Sequence, residues 1–172
     1  MKEYAEQLFQ QHAQAGVLLD TNLLLLLIAG NAQRDLVTSF KRLNMFTLED
    51  YDALASIVRR FERLVTTPNI LTEVSNLADN LRGAHKQACL ASLVDQITVL
   101  DEHYVPSESL IASTALNAFG LTDAVIAEIA SRAFLVMTID LPLYNYLCTL
   151  ELPVLNFNHL RGFLWVFQHE HR

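Results

Sequence analysis

The apolar residues of this chain are arranged in two patterns, one typical of strands and one typical of helices, which alternate along the sequence. Five short runs rich in aliphatic and β-branched residues predict strands, at 16–20, 65–68, 97–100, 134–140 and 153–157. The run 134–140 is apolar almost throughout, as is typical of a strand in a parallel sheet that is covered on both faces.

Between these runs, apolar residues recur every three or four positions, which is the spacing of a helix buried along one side. The predicted helices lie at 3–14, 22–30, 32–43, 47–64, from 69 onward, 84–95, 107–120, 121–133 and 141–151, with an amphipathic tail over 159–172. Gly30-Asn31 and Gly120 are predicted helix stops. The alternation of strands and helices predicts an α/β fold of three layers, a central parallel β-sheet flanked by helices, formed by residues 1–172 as one domain.

Composition limits the cellular setting. The chain is 52% hydrophobic with only 5 Gly and 4 Pro, which is typical of a globular protein. Cys89 and Cys148 have no metal-ligand spacing, which disfavours a disulfide scaffold or zinc ribbon and favours a reducing compartment. The polar start lacks the apolar core of a signal peptide, and the apolar run 23–29 is too short to span a bilayer. We expect a soluble, cytoplasmic protein with no membrane partner.

Acidic residues stand where parallel sheets place their sites. Asp20 ends the first predicted strand and Asp140 ends the strand 134–140, and ligands of such sheets bind at the carboxyl ends of strands. Asp123 lies in the first turn of the helix leading into 134–140, and Glu73 lies on the helix after 65–68. Clustered carboxylates repel each other unless a hard divalent cation such as Mg²⁺ binds between them.

Such a cation site suits phosphodiester hydrolysis, because one ion activates water and a second steadies the leaving oxygen. The net charge of −7 argues against a protein that coats nucleic acid. It is compatible with a metal-dependent nuclease, because the charge of the site's acids is cancelled only when the ion is bound.

Four blocks around these acids resemble the motifs of PIN-domain proteins, in that family's order. The blocks are VLLDTN (17–22), ILTEV (70–74), GLTDAVIA (120–127) and MTIDLPLY (137–144). The resemblance implies a PIN fold and an endoribonuclease dependent on Mg²⁺ or Mn²⁺. Its catalytic, metal-binding acids would be Asp20, Glu73, Asp123 and Asp140.

The resemblance also implies two supporting residues. Asn22 matches an Asn that orients the first Asp, and Thr138 matches a small hydroxyl residue that precedes the last Asp. The chain is most similar to the VapC-type toxins of type II toxin–antitoxin pairs, which implies an RNA substrate, a small antitoxin partner and a homodimer. It departs from the pattern in a long stretch at 31–66 and in lacking further acids near Asp140, which leaves open whether one ion or two bind.

Each acid also has a plainer interpretation. Asp20 and Asp140 would serve as helix caps, Asp123 as a first-turn acid favoured by the helix dipole, and Glu73 as an exposed helical residue. Asn156 and Asn158 are expected to be loop polar residues near the site's edge. The candidate phosphate contacts are basic residues that the pattern does not rank, namely Arg59, Arg60, Arg63, Arg82, Lys86 and Arg161.

Two other functions stay open. One is a catalytically idle PIN-like binding module, which the four acids disfavour. The other is a phosphatase with Asp20 as aspartyl nucleophile. That chemistry requires a second acid two residues further on to protonate the leaving group, and Asn22 occupies that position.

Overall fold

A central sheet of five parallel strands organises the computed structural model, which describes residues 2–130 and 134–163. The strands are β1 Val17–Leu19, β2 Leu64–Thr66, β3 Asp101–Glu102, β4 Leu135–Thr138 and β5 Val154–Asn156. Their order across the sheet is β3-β2-β1-β4-β5, and each neighbouring pair is parallel. Strand β1 is therefore central, with β4 beside it.

Helices connect and cover these strands. They are α1 Lys2–His12, α2 Thr21–Ala32, α3 Leu36–Ser39, α4 Leu48–Val58, α5 Pro68–Ala78, α6 Gly83–Ile97, α7 Thr114–Phe119, α8 Leu121–Ala130, α9 Leu141–Thr149 and α10 Phe157–Leu160. Short 3₁₀ helices lie at Lys41–Leu43, Ser107–Leu110 and Arg161–Phe163. The predicted three-layer α/β fold with a central parallel sheet is confirmed. In the described part of the chain, no helix is both long and apolar enough to cross a membrane.

The core explains why the sequence around β1 is so apolar. All three residues of β1 are buried, and so is every residue of α2 from Leu23 to Gly30. This helix packs against α4, α5 and α6, so it has no polar face to present to water. In the sheet, Leu18 pairs with Val136, and the backbone N–H of Asp20 donates to Met137 O at 3.0 Å. This register brings the carboxyl ends of β1 and β4 together.

The predicted stop at Gly30-Asn31 is wrong, because α2 continues to Ala32. Gly30 is needed there for packing rather than for a turn. A Cβ at this position would lie 2.3 Å from the ring of Tyr51, so only a glycine lets α4 approach α2 so closely. The Tyr51 hydroxyl donates a hydrogen bond of 2.9 Å to the Asn31 side chain.

Other boundaries also moved. The predicted strand at 97–100 is wrong, because α6 runs to Ile97 and β3 begins only at Asp101. Val99 has the β-branched side chain typical of strands, but it is 69% exposed and lies outside the sheet. Extended backbone at Phe40 breaks the predicted helix 32–43 into α3 and a 3₁₀ turn. Helix α4 ends at Val58, well before residue 64. The predicted helical residues 131–133 and the tail beyond residue 163 lie outside the described residues.

Candidate metal centre

Two predicted site acids are helix caps as well as cavity residues. Asp20 lies between β1 and α2, and its Oδ1 accepts a hydrogen bond of 2.8 Å from Leu23 N. Asp140 lies between β4 and α9, and its Oδ1 accepts from Leu143 N at 2.8 Å. The plainer interpretation of both acids is thus borne out in part. Capping fixes one carboxylate oxygen of each and directs both side chains to the carboxyl edge of the sheet.

Asp20 is held more tightly than a cap requires. Its Oδ2 accepts hydrogen bonds from Thr138 Oγ1 at 2.6 Å and from Ile139 N at 2.8 Å. Only 4% of the residue is exposed. Burial raises the pKa of Asp20 above its usual value, against the lowering effect of these hydrogen bonds, and the nearby Asp140 carboxylate raises it further.

Glu73 is positioned by two threonines. Helix α5 begins at Pro68 after the Thr67 cap, and Glu73 lies in its second turn. Its Oε2 accepts a hydrogen bond of 2.8 Å from Thr21 Oγ1, and its Oε1 accepts one from Thr122 Oγ1. The carboxylate therefore ties α5 to the first turns of α2 and α8.

Of the four acids, Asp123 has the carboxylate that accepts the fewest hydrogen bonds from described residues. It lies in the first turn of α8, which begins after Gly120 adopts a positive φ of 91°. Among the described residues, none donates a hydrogen bond to its carboxylate. Burial raises the pKa of Asp123 to about 6, and the charges of Asp140, Asp20 and Glu73 add to the increase. The other three acids are thus close enough to act on Asp123 electrostatically.

All four acids line one cavity of about 320 Å³ at the carboxyl edge of the sheet. They come from four separate segments, namely the ends of β1 and β4 and the helices α5 and α8. Its described lining contains no basic side chain. Asn22 also lines the cavity but makes no hydrogen bond to Asp20 in the described part, so its predicted orienting role stays a prediction.

Thr138 links two acids rather than supporting one. Besides donating to Asp20, its Oγ1 accepts a hydrogen bond of 2.9 Å from the backbone N–H of Asp140. Asn156 and Asn158 are not among the cavity's lining residues. The expectation that these two are loop residues is wrong: Asn156 is buried at the end of β5 and caps α10 by accepting from Asn158 N at 3.0 Å, and Asn158 lies within α10.

The donor set suits a hard divalent cation. Among the described residues, every ionisable group that lines the cavity is a carboxylate, and hard divalent cations prefer oxygen ligands. Asp20 Oδ1 and both Glu73 oxygens accept one hydrogen bond each, so each keeps a lone pair, and Asp140 Oδ2 accepts none from a described residue. As placed, however, no three His, Cys, Asp or Glu side chains in residues 2–130 and 134–163 form a group that could hold an ion.

Sequence reasoning missed the two threonines that hold Glu73. Each is the immediate neighbour of another acid, because Thr21 follows Asp20 and Thr122 precedes Asp123. That adjacency is the only signal in the chain that pointed to them.

No family model matches the chain, and neither a curated protein nor a solved structure matches it. The resemblance to PIN-domain motifs rests on the four blocks alone.

Proposed function

We propose that this protein is an endoribonuclease that depends on Mg²⁺ or Mn²⁺ and hydrolyses phosphodiester bonds in RNA. The observation that carries the proposal is the convergence of Asp20, Glu73, Asp123 and Asp140 on one cavity without a basic residue in its described lining. Helix capping explains why Asp20 and Asp140 lie at this edge of the sheet, but it does not explain why Glu73 and Asp123 line the same cavity. RNA, rather than another phosphodiester, is inferred from the resemblance to PIN-domain motifs.

The four acids divide the work of holding an ion. Asp20 is the most fixed, because three hydrogen bonds lock its carboxylate, so it would set the ion's position through Oδ1. Asp123 has no hydrogen bond from a described residue and would rotate toward the ion most freely. Glu73 and Asp140 line the same cavity and would supply the remaining carboxylate ligands. A bound ion supplies an activated water and neutralises the charge of the phosphate under attack.

The phosphatase alternative is weaker on two grounds. Asp20 is almost fully buried and its Oδ2 already accepts two hydrogen bonds, which suits an immobile ligand better than an attacking nucleophile. Asn22 lines the same cavity and cannot protonate a leaving group. The small antitoxin and the homodimer that the resemblance implies stay predictions.

Calorimetric titration of Mn²⁺ tests the proposal. The wild-type protein, freed of metal with a chelator, should bind Mn²⁺, and Asp123→Asn should reduce the affinity at least tenfold. Asp95→Asn is the matched control, because Asp95 is exposed on α6 and does not line the cavity. Cleavage of single-stranded RNA should require the ion and fail in Asp123→Asn. Absence of Mn²⁺ binding by the folded wild type would refute the mechanism, whereas binding without RNA cleavage would favour the idle binding module.

A further inference from the structure

Two more hollows adjoin the acid cavity, one on each side of Glu73. On the Thr21 side, a cavity of about 250 Å³ is lined by Arg42 and Asn76 together with Thr21, Asn22 and Glu73. On the Thr122 side, a cavity of about 350 Å³ includes Tyr104, Glu73 and Thr122 in its lining. Each of these hollows shares Glu73 and a threonine with the acid cavity, so the three are neighbours on the surface, and we call them together the acid track.

Arg42 is the only basic side chain in the described lining of the acid track. Within residues 2–130 and 134–163 it forms no ion pair. Four other arginines are paired, as Arg34–Asp52, Arg60–Glu6, Arg63–Asp101 and Arg161–Asp50. An exposed guanidinium that remains unpaired in a protein of net charge −7, beside a group of acids, is available to an external anion.

The backbone that carries Arg42 is fixed. Phe40, Leu43 and Phe46 are all buried, so the 3₁₀ turn is anchored on both sides of Arg42. The turn is closed by hydrogen bonds of 2.8 Å from Leu43 N to Phe40 O and from Phe46 N to Leu43 O. A guanidinium on a fixed turn loses less conformational freedom on binding a phosphate than one on a mobile loop.

Tyr104 presents an aromatic ring at the other end of the acid track. The residue is 72% exposed, although both of its neighbours are held. His103 N donates to Thr66 O at 2.9 Å, at the end of the sheet, and Val105 is buried. The segment is therefore held on both sides of Tyr104, while the Tyr104 side chain itself stays exposed.

We propose that a single-stranded RNA lies along the acid track, with a backbone phosphate on Arg42 and an unpaired base stacked on Tyr104. This inference rests on the proposed function, and it adds the two residues, Arg42 and Tyr104, that would bind the strand on either side of the acids. The phosphate between these two contacts lies over the carboxylates. A duplex cannot make both contacts, because its bases are stacked inside the helix and only an unpaired base exposes its face to a tyrosine.

Fluorescence anisotropy with a labelled single-stranded RNA of 12 nucleotides tests the inference. The background is Asp123→Asn without added metal, which prevents cleavage and removes one repelling charge. Adding Arg42→Ala should raise Kd about tenfold and lower the slope of log K against log salt by about 0.7, the loss of one phosphate contact. Adding Tyr104→Ala should raise Kd about tenfold with the salt slope unchanged, as for a lost base stack.

Matched variants separate these contacts from general charge and shape. Lys41→Ala removes a neighbouring exposed cation that does not line the track, and it should leave Kd within about twofold. Tyr104→Phe should keep the affinity because it keeps the ring. A duplex of the same sequence should bind more weakly and be insensitive to Tyr104→Ala.

The two proposals fail in different ways. Metal-dependent RNA cleavage by the wild type, together with unchanged Kd in Arg42→Ala and Tyr104→Ala, would overturn this inference and leave the proposed function standing. Duplex bound as tightly as single strand would also overturn it. Loss of Mn²⁺ binding in calorimetry would remove the proposed function even if Arg42 and Tyr104 bound RNA.

Discussion

The hydroxyl of Thr138 donates a hydrogen bond of 2.6 Å to the carboxylate of Asp20, which is 118 residues away in the sequence. Asp20 follows β1, Thr138 is the last residue of the adjacent strand β4, and both are buried. The same hydroxyl accepts from the backbone N–H of Asp140. The Thr138 side chain therefore fixes the position of Asp20 relative to Asp140 at the ends of the two strands. A metal ion bound by both acids would have to fit that arrangement.

Replacing Thr138 by Val should weaken both the fold and the metal site. Val keeps the shape but leaves Asp20 Oδ2 and the Asp140 N–H each short of one partner, so we expect a loss of about 1–3 kcal/mol in the free energy of unfolding. Loss of a group that orients a ligand typically lowers metal affinity about 10–100-fold. Urea denaturation in chelator and Mn²⁺ calorimetry measure the two effects. Thr138→Ser keeps the hydroxyl and should retain most of both properties.

Thr66 is the last residue of β2, on the other side of β1, and unlike Thr138 it makes no side-chain hydrogen bond to a described residue. Its hydroxyl is buried and, among the described residues, has no hydrogen-bond partner. Thr66→Val removes an unsatisfied polar atom from the core without changing its shape, so we expect a gain in stability of up to about 1 kcal/mol. Denaturation of this variant beside Thr138→Val separates the role of the hydrogen bond from that of the methyl groups. Equal destabilisation by both substitutions would contradict the special role of Thr138.

Asp20→Asn and Glu73→Gln should lower the free energy of unfolding by different amounts. Asp20→Asn must place an NH₂ group toward either Leu23 N–H or Ile139 N–H, and neither can accept a hydrogen bond. We expect it to lose about 1–3 kcal/mol of stability in chelator. Glu73→Gln faces only hydroxyls, from Thr21 and Thr122, and a hydroxyl can reverse to accept.

Glu73→Gln should therefore leave the metal-free stability within about 0.5 kcal/mol of wild type while it weakens Mn²⁺ binding, because a neutral amide replaces a charged ligand. Urea denaturation in chelator gives the stabilities, and calorimetry gives the affinities. Glu73→Gln with full Mn²⁺ affinity would remove Glu73 from the site. Asp20→Asn as stable as wild type would mean that the hydrogen bonds on Asp20 contribute little.

The parts of this structure that follow from local pattern were predictable. The apolar runs at 16–20 and 134–140 and the acids that end them indicated two strands with Asp20 and Asp140 at one edge, and the sheet order places those strands side by side. Element boundaries were less predictable where tertiary packing overrides propensity. Gly30 resembles a helix stop in sequence, but its function is to admit the ring of Tyr51, a residue in a different helix.

The contacts that complete the site were beyond sequence reasoning for a different reason. Thr122 and Glu73 are 49 residues apart, and no periodicity relates them. Arg42 resembles other exposed basic residues until the fold places it beside Asn22 and Asn76. Pairwise contacts between separate helices depend on how those helices pack, which a single sequence does not encode in any local pattern.

Asp123 should make the metal-free protein less stable as the pH rises. Its pKa in the folded protein is raised to about 6, whereas an unfolded chain has an Asp pKa of about 3.9. The folded state therefore holds this proton more tightly. The stability that the proton contributes is fully present below about pH 4 and is lost as the pH rises through about 6. The raised pKa of Asp20 acts in the same direction.

Asp123→Asn removes the part of this pH dependence that comes from Asp123 and leaves the part that comes from Asp20. In chelator, the melting temperature of the variant should exceed that of wild type at pH 7.5, and the difference should shrink or reverse at pH 4.5. Mn²⁺ should raise the melting temperature of wild type at pH 7.5 and much less at pH 4.5, because the ion competes with the proton. The variant should respond weakly at both. The alternative is that Asp123 acts only through its favourable interaction with the dipole of α8. The variant would then be less stable than wild type at pH 7.5, and Mn²⁺ would change the melting temperature of both proteins equally.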